Sequence, residues 1–153
     1  MTRSILKFRG IITRIKEGVN FFLEMVGTLG NIIFEVSDEK IKTFKSLNLS
    51  QKANYATHNI INKKGMSEFT GFEPMSIKIN ISLNQNLGVN VQEELNKINK
   101  AFSGHEVLNF ILNGQPVGEG KFVIENISED MKVIGKNGEI ISCEINLDLK
   151  EYI

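Results

Sequence analysis

Strict alternation of apolar and polar residues in two segments constrains the fold of this chain more than any other feature. In residues 76–83, four aliphatic side chains alternate with polar ones, and residues 139–149 repeat the pattern. A period of two places alternate side chains on opposite faces of a strand, so both segments are predicted to be half-buried β-strands. The predicted inward residues are Ile77, Ile79, Ile81 and Leu83 in the first and Ile141, Cys143, Ile145, Leu147 and Leu149 in the second.

Shorter runs and turn signals predict several further strands. Asn113-Gly114 and Asn137-Gly138 are strong signals for tight hairpins, because both turn residues tolerate a positive φ. The polar stretch 49–62 is predicted to contain a strand and to end at the basic turn 62–65. The other predicted strands cover residues 31–36, 40–47, 107–112, 121–127 and 132–134.

One helix is predicted between Asn90 and Gly104. Asn90 is a favourable N-cap, Glu93 stands at the third helical position of a capping box, and Gly104 supplies the stop. The predicted apolar face contains Val91, Leu95, Ile98 and Phe102, and the predicted solvated or neighbour-contacting face contains Glu94, Lys97 and Lys100.

These elements predict an α+β domain, mainly an antiparallel β sandwich or flattened barrel with one principal helix that closes an end or a face. The length of 153 residues suits one domain with its own core. We place this β domain at residues 25–153.

Residues 1–24 are predicted to form a basic amphipathic N-terminal extension. Their apolar residues recur at spacings of three and four, which favours a helix, although Gly10 and Gly18 weaken it. Three interpretations stay open: docking on a partner subunit, packing on the same domain, or a loose extension preceding a true start at Met25. The apolar stripe consists of Ile5, Phe8, Ile12, Ile15, Val19 and Phe22.

Composition argues against nucleic acid and membrane as partners. The chain has eighteen basic and eighteen acidic side chains. Five basic and two acidic ones lie in residues 1–24, so the remainder has a net charge of −3, which disfavours a phosphate-backbone binder. No segment approaches the ~20 apolar residues of a membrane span. Synthesis and folding in the cytoplasm are expected, and the single cysteine, Cys143, is predicted to be a buried free thiol.

No pattern of catalytic, cofactor-binding or metal-binding residues is recognisable. The chain has two histidines, His58 and His105, and neither stands at a metal-ligand spacing. The run from Gly114 to Lys121 resembles a phosphate loop, but it has one residue too many before Gly-Lys, and a strand follows where a helix is required. We therefore predict a protein that is not an enzyme and has no cofactor.

Five blocks in the same order resemble the phage P2 tail protein U family, found in contractile tailed phages and tail-like bacteriocins. The most specific block is Gly-Gln-Pro-Val-Gly-Glu-Gly at residues 114–120. The sequence departs from the family where Trp often stands near Tyr55 and at Phe122, and where Pro often stands at Val91. The resemblance covers residues 25–153, and its blocks lie at residues 25–34, 55–71, 88–95, 114–129 and 147–152.

The resemblance implies a structural subunit of a contractile phage tail or tail-like particle, similar in fold to tail-tube subunits. It implies a self-assembled ring, a hexamer, between the baseplate hub and the tail tube and near the tape-measure protein. The alternatives are a head-proximal tail-completion or terminator ring and, from another class, a small-molecule-binding β-domain or an enzyme.

The residues in the matched blocks divide into two groups. Polar side chains without a core role are interface candidates, namely Tyr55, His58, Glu68 and Glu129. The others are expected to serve turns, strand edges and the helix cap; they are Gly88, Asn90, Gly114, Pro116, Gly118 and Gly120.

Overall fold

A computed structural model describes residues 6–8, 11–16, 19–36 and 41–153. Strands account for most of these residues, as the alternating sequence pattern requires. The strands are β1 (Leu6–Phe8), β2 (Ile11–Lys16), β3 (Val19–Leu29), β4 (Ile32–Val36), β5 (Ile41–Lys42), β6 (Phe44–Ser50), β7 (Ala53–His58), β8 (Met66–Phe72), β9 (Ser76–Asn84), β10 (Leu108–Leu112), β11 (Gln115–Ile134) and β12 (Ile140–Glu151). Helix α1 spans Val91–Ser103, and a 3₁₀ turn spans Gln85–Leu87.

Ten of these strands form one antiparallel sheet that curls into a half-barrel. Its order is β1-β2-β3-β10-β11-β12-β9-β6, with β4 paired to β3 and β5 to β4. Strands β7 and β8 pair only with each other, in a separate two-stranded sheet. Helix α1 packs on β4, β11 and β12. The predicted α+β class, a flattened antiparallel barrel with one principal helix, is confirmed.

The two alternating segments form the centre of the core. Strand β9 pairs with β12 over nine residues, and the register places Ile79 opposite Leu147 and Ile81 opposite Ile145. All the inward side chains of β9 are at most 1% exposed. A slip of one residue would move this entire apolar set to the solvent face, so the alternation specifies the register.

Helix α1 begins where its cap residue predicts, because the Asn90 side chain accepts a hydrogen bond from the Glu93 backbone N–H at 3.3 Å. Its predicted faces need two corrections. Phe102, predicted to be inward, is 38% exposed, and Ala101 takes the core position instead. Glu94, predicted to be on the solvated face, is 4% exposed.

Glu94 is buried because it meets a lysine from a distant strand. Its Oε2 forms an ion pair with Nζ of Lys42 on β5, and Oε1 lies 3.0 Å from Nζ of Lys97. Burial alone would raise the pKa of Glu94, but the hydrogen bonds and charges of the two lysines outweigh it and hold the pKa below its usual value. Helix α1 is thereby joined to β5 through charges inside the core.

The helix predicted over residues 1–24 is wrong wherever the structure describes that segment. Residues 6–8, 11–16 and 19–29 are strands β1, β2 and β3, and residues 1–5, 9, 10, 17 and 18 lie outside the description. The residues of the predicted apolar stripe are β-branched or aromatic, which favours a pleated sheet, and each internal glycine costs a helix about 1 kcal/mol. The boundary placed between residues 24 and 25 falls inside β3.

The C-terminal third contains fewer strands than predicted. Residues 121–127 and 132–134 belong to the single long strand β11, which keeps its pairing with β12 across several register shifts. The turn at Asn113-Gly114 has positive φ at both residues, as predicted. At Asn137-Gly138 only Gly138 has a positive φ, and the hydrogen bond from Gly135 N–H to Glu139 C=O closes a longer loop.

The glycine-rich block at residues 114–120 takes its shape from one buried carboxylate. Glu151 accepts hydrogen bonds from the backbone N–H groups of Met75 and Glu119, each at 2.9 Å. Gly118 has a φ of +56°, and a Cβ at this position would lie 2.6 Å from Oε1 of Glu151. Only glycine fits both the backbone conformation and this close approach.

Two further glycines, Pro116 and the cysteine can be placed in the fold. Gly88 adopts the left-handed conformation that ends the 3₁₀ turn, and Gly120 also has a positive φ. Pro116 lies in the part of β11 that pairs with β10 alone, opposite Ile111. Cys143 is a buried free thiol.

Candidate assembly interface

The hairpin formed by β7 and β8 is highly exposed. It leaves the main sheet after β6 and returns to it at β9, and neither of its strands pairs with any other. Every side chain from residue 57 to residue 70 is exposed. An isolated two-stranded hairpin is only marginally stable in water, so this element needs support from other contacts.

Three aromatic rings cover one face of the β7–β8 hairpin. Tyr55 lies opposite Phe69 across the strands, with ring centroids 5.6 Å apart, and Phe69 lies 4.9 Å from Phe72. Residues 69 and 72 would ordinarily point to opposite faces of a strand. The register shifts between Asn54 and Tyr55, which leaves Thr70 unpaired and brings both phenylalanines to the same face.

The opposite face of the hairpin has a mixed character. His58 and Met66 are cross-strand partners there, as are Ala56 and Glu68. The Nε2 of His58 lies 2.8 Å from Oε2 of Glu68, and both side chains are more than half exposed. An exposed pair of this kind contributes little to stability, so its value lies in fixing the orientation of two polar groups.

Large apolar side chains are exposed on both faces and at the tip of the hairpin. Tyr55 is 64% exposed, Phe72 is 67% and Ile61 at the tip is 90%. Exposed large apolar side chains concentrated on one ordered element are typical of a contact with another chain. The tip also has two lysines, Lys63 and Lys64.

The base of the hairpin is held by Lys52 and Glu73. The backbone N–H of Glu73 donates to the Lys52 carbonyl at 2.8 Å, and the two side chains form an ion pair at 2.8 Å. The hydrogen bond from Lys52 lowers the pKa of the Glu73 carboxyl, with a second hydrogen bond from Asn54. The two strands of the hairpin are therefore fixed together at the base, while no other described strand pairs with them along their length.

The structure brings together three of the four predicted interface residues. Tyr55, His58 and Glu68 all lie on the β7–β8 hairpin. Glu129 lies elsewhere, on β11, where its carboxylate accepts a hydrogen bond from Asn99 of α1 at 2.8 Å. An interface role for each of the four stays a prediction.

The interface interpretation of the sequence missed Phe69, Phe72 and Met66, which form most of the apolar surface of the hairpin. These residues stand among Ser, Glu, Thr and Gly in a stretch without the alternation of β9. Such a stretch matches neither the two-residue period of a half-buried strand nor the helical period, so its pattern did not predict a strand.

Among the described residues, no group of three or more His, Cys, Asp or Glu side chains is arranged to hold a metal ion. Burial raises the pKa of the Cys143 thiol, which disfavours the reactive thiolate. In the same described part, no helix is long and apolar enough to cross a membrane.

A comparison with protein families identifies a matching family. The model of the family described as Phage P2 GpU matches residues 30–153, which include the whole β7–β8 hairpin, α1 and the glycine-rich block. A comparison with curated proteins gave no significant match. Because the match covers most of the chain, the protein belongs to the Phage P2 GpU family and is a structural protein related to phage tails.

Proposed function

We propose that this protein is the ring-forming adaptor that joins the baseplate hub to the tail tube of a contractile phage-type tail. The observation that carries the proposal is the β7–β8 hairpin, whose aromatic face and apolar tip are exposed in the single chain. Such a surface is stable in water when a neighbouring subunit covers it.

Open sheet edges support assembly with further copies of the same chain. Within the described residues, β6 ends the order of the main sheet and pairs with β9 alone. Residues 123–134 of β11 pair with β12 on one side, and no described strand pairs with the other side. Unpaired N–H and C=O groups at such edges can continue the sheet into the next subunit.

Two different open edges on one subunit favour a head-to-tail contact. A head-to-tail contact repeats with a constant rotation and closes into a ring when that rotation divides a full turn. The hexameric symmetry in this proposal comes from the family resemblance to tail-tube subunits. The expected partners are other copies of the chain, the tail tube, the baseplate hub and the tape-measure protein.

Cryo-electron microscopy of intact tail particles tests the proposal. We expect six copies of the chain in one ring at the junction of tube and baseplate, with the tape-measure protein passing through the lumen. A ring at the head-proximal end would contradict the adaptor role and establish a terminator.

A single copy without cyclic neighbours would contradict ring formation altogether. Particles without the chain, together with a monomer in the lysate, would instead favour a small-molecule-binding domain or an enzyme. Particles from which this one gene has been removed are the matched control for assigning the density.

A further inference from the structure

We propose that Glu151 is the positioning residue of the candidate interface, because it sets the angle at which the β7–β8 hairpin leaves the main sheet. Its carboxylate joins Met75, the residue at which the hairpin returns to the sheet, to the glycine-rich block at residues 114–120. The inference rests on the proposed function, in which the hairpin is an assembly contact, and it identifies what orients that contact.

The direction of the hairpin is decided between β8 and β9. Strand β8 ends at Phe72 and β9 begins at Ser76, so only three residues separate them. Strand β9 pairs with β12 as far as Ser76, which lies opposite Lys150. The next step of that ladder would place Met75 opposite Glu151. The contact between these two residues therefore lies at the point where the hairpin leaves the sheet.

Glu151 holds both backbone groups of Met75. The Glu151 N–H donates to the Met75 carbonyl at 2.8 Å, and the Glu151 Oε2 accepts from the Met75 N–H at 2.9 Å. In a regular antiparallel ladder the second bond would go to the Glu151 carbonyl. Because the side chain takes the place of that carbonyl, the regular pairing ends here and the chain turns away from β12.

The other carboxylate oxygen of Glu151 contacts the glycine-rich block. Oε1 accepts a hydrogen bond from the Glu119 N–H at 2.9 Å, and a Cβ on Gly118 would lie 2.6 Å from this oxygen. The same Cβ would lie 3.4 Å from Cε of Met75. Glycine at position 118 therefore allows the block, the carboxylate and Met75 to pack together.

Burial and a proline strengthen this contact. Glu151 is 9% exposed, and hydrogen bonds from backbone N–H groups to a carboxylate are stronger than those between neutral groups. Pro74 stiffens the return of the hairpin, because its ring fixes φ. A short, stiff segment that ends at a held residue transmits the position of Met75 to the hairpin.

The contacts between Lys52 and Glu73 have a different effect. They join the two legs of the hairpin to each other, which closes the hairpin but leaves its angle to the sheet free. Their side chains are 68% and 46% exposed, so the ion pair is weakened by water. The contact between Met75 and Glu151 joins the hairpin to the main sheet, so it is able to orient the hairpin.

A distance measurement between two spin labels tests the positioning role. One label, at Lys63→Cys, is at the hairpin tip and the other, at Ser82→Cys, is on β9; both positions are exposed, whereas Cys143 is buried. In the labelled chain, diluted with unlabelled chain, we expect one narrow distance distribution. Glu151→Gln replaces one acceptor oxygen by an NH2 group and leaves one N–H unpaired, so it is expected to raise the population at other distances about 10-fold.

Glu94→Gln is the matched control, because it makes the same replacement at another buried carboxylate, on α1. It is expected to destabilise the fold and to leave the distance distribution unchanged. A general loss of stability would broaden the distribution in both variants, whereas a positioning role broadens it in Glu151→Gln alone. Broadening in both, or in neither, would overturn the positioning role and leave the proposed function standing.

Gly118→Ala replaces Glu151→Gln in the measurement if the latter does not fold. Its Cβ would displace Oε1 of the carboxylate, so a broadened distribution is again expected, and an unchanged one would overturn the inference.

Incorporation into tail particles separates the inference from the proposed function. A variant with a broadened distribution is expected to be lost from the particles, because its hairpin is wrongly oriented for assembly. A broadened variant that enters particles as the wild type does would uphold the positioning by Glu151 and contradict assembly through the hairpin.

Discussion

Strand β9 and the β7–β8 hairpin are neighbours in sequence and opposites in structure. Strand β9 has a partner on each side and buries every second side chain. The hairpin pairs only with itself and buries none of its side chains fully. Both segments have residues that favour strands. They differ because other strands of the same chain flank β9, whereas none flanks the hairpin.

This contrast shows which contacts stabilise the β9 region and which would stabilise the hairpin. Burial of the β9 face gains roughly 25 cal/mol for each Å² of apolar surface removed from water, and this gain is available to the single chain. About half or more of the surface of each hairpin ring is exposed to water. Much of the free energy of burying these rings is therefore gained only when another chain covers them. The body is therefore expected to be stable alone and the hairpin to be stabilised by assembly.

A matched pair of isoleucine truncations gives the largest expected difference. Ile79→Ala empties a position in β9 that is 1% exposed, and it is expected to lower the free energy of unfolding by about 4 kcal/mol. Ile61→Ala at the hairpin tip, 90% exposed, is expected to change it by less than about 0.5 kcal/mol. Urea denaturation of both purified variants measures the difference, and similar midpoints would refute the contrast.

The two carboxylates in ion pairs give the second comparison. Glu94→Gln removes a buried charge from Lys42 and is expected to cost about 3 kcal/mol at neutral pH. Glu68→Gln removes an exposed charge from His58 and is expected to cost less than about 1 kcal/mol. Denaturation curves at pH 7 distinguish them, and a larger loss for Glu68→Gln would contradict the assigned burial.

The Glu94 effect has a definite pH dependence. Its pKa is lowered in the folded protein, so the stability it contributes is fully present above the pKa of an unfolded glutamate. That stability is lost as the pH falls through the lower, folded pKa. The difference between the wild type and Glu94→Gln is therefore expected to shrink only in acid, below the usual carboxyl range, and a difference that persists there would be contrary evidence.

Two glycines with positive φ give an intermediate effect. Gly118→Ala adds backbone strain and places its Cβ against the Glu151 carboxylate, with an expected cost of about 2–3 kcal/mol. Gly71→Ala in the hairpin meets no atom within 4 Å, so backbone strain of about 1 kcal/mol is expected alone. Thermal or urea unfolding compares the two, and equal losses would show that the Glu151 contact adds nothing.

The smallest effect on stability is expected from the hairpin aromatics. Phe72→Ala removes a ring that is 67% exposed, and it is expected to lower the free energy of unfolding of the single chain by less than about 1 kcal/mol. The same change is expected to reduce incorporation into tail particles, because the ring meets its partner there. A Phe72→Ala variant that enters particles normally but has a much lower free energy of unfolding would contradict this assignment, because the ring would then stabilise the single chain and not the assembly.

Local patterns predicted much of the body correctly. The alternation identified β9 and β12 and their inward faces, and Asn90 identified the start of α1. These signals succeed because the period of a strand and the capping of a helix depend on residues a few positions apart. The same local reasoning was wrong for residues 1–24, where a spacing of three and four suited a helix but the β-branched residues entered strands.

The candidate interface was predicted only in part. Tyr55, His58 and Glu68 were identified as polar residues without a core role, and all three lie on the β7–β8 hairpin. Strand β8 itself was not predicted, so the aromatic cluster and the bulge that aligns Phe69 with Phe72 were not expected. A bulge depends on cross-strand register, which one strand alone does not specify.

By itself the sequence determined the antiparallel α+β class, the inward faces of β9 and β12, and the limits of α1. Only the tertiary structure decided that Glu94 lies buried against Lys42, 52 positions away, and that the hairpin stays outside the main sheet. The physical reason is how far apart along the chain the interacting residues lie. Period and capping arise between residues close in the chain, whereas burial of a charge or exposure of a ring depends on which distant segments pack together.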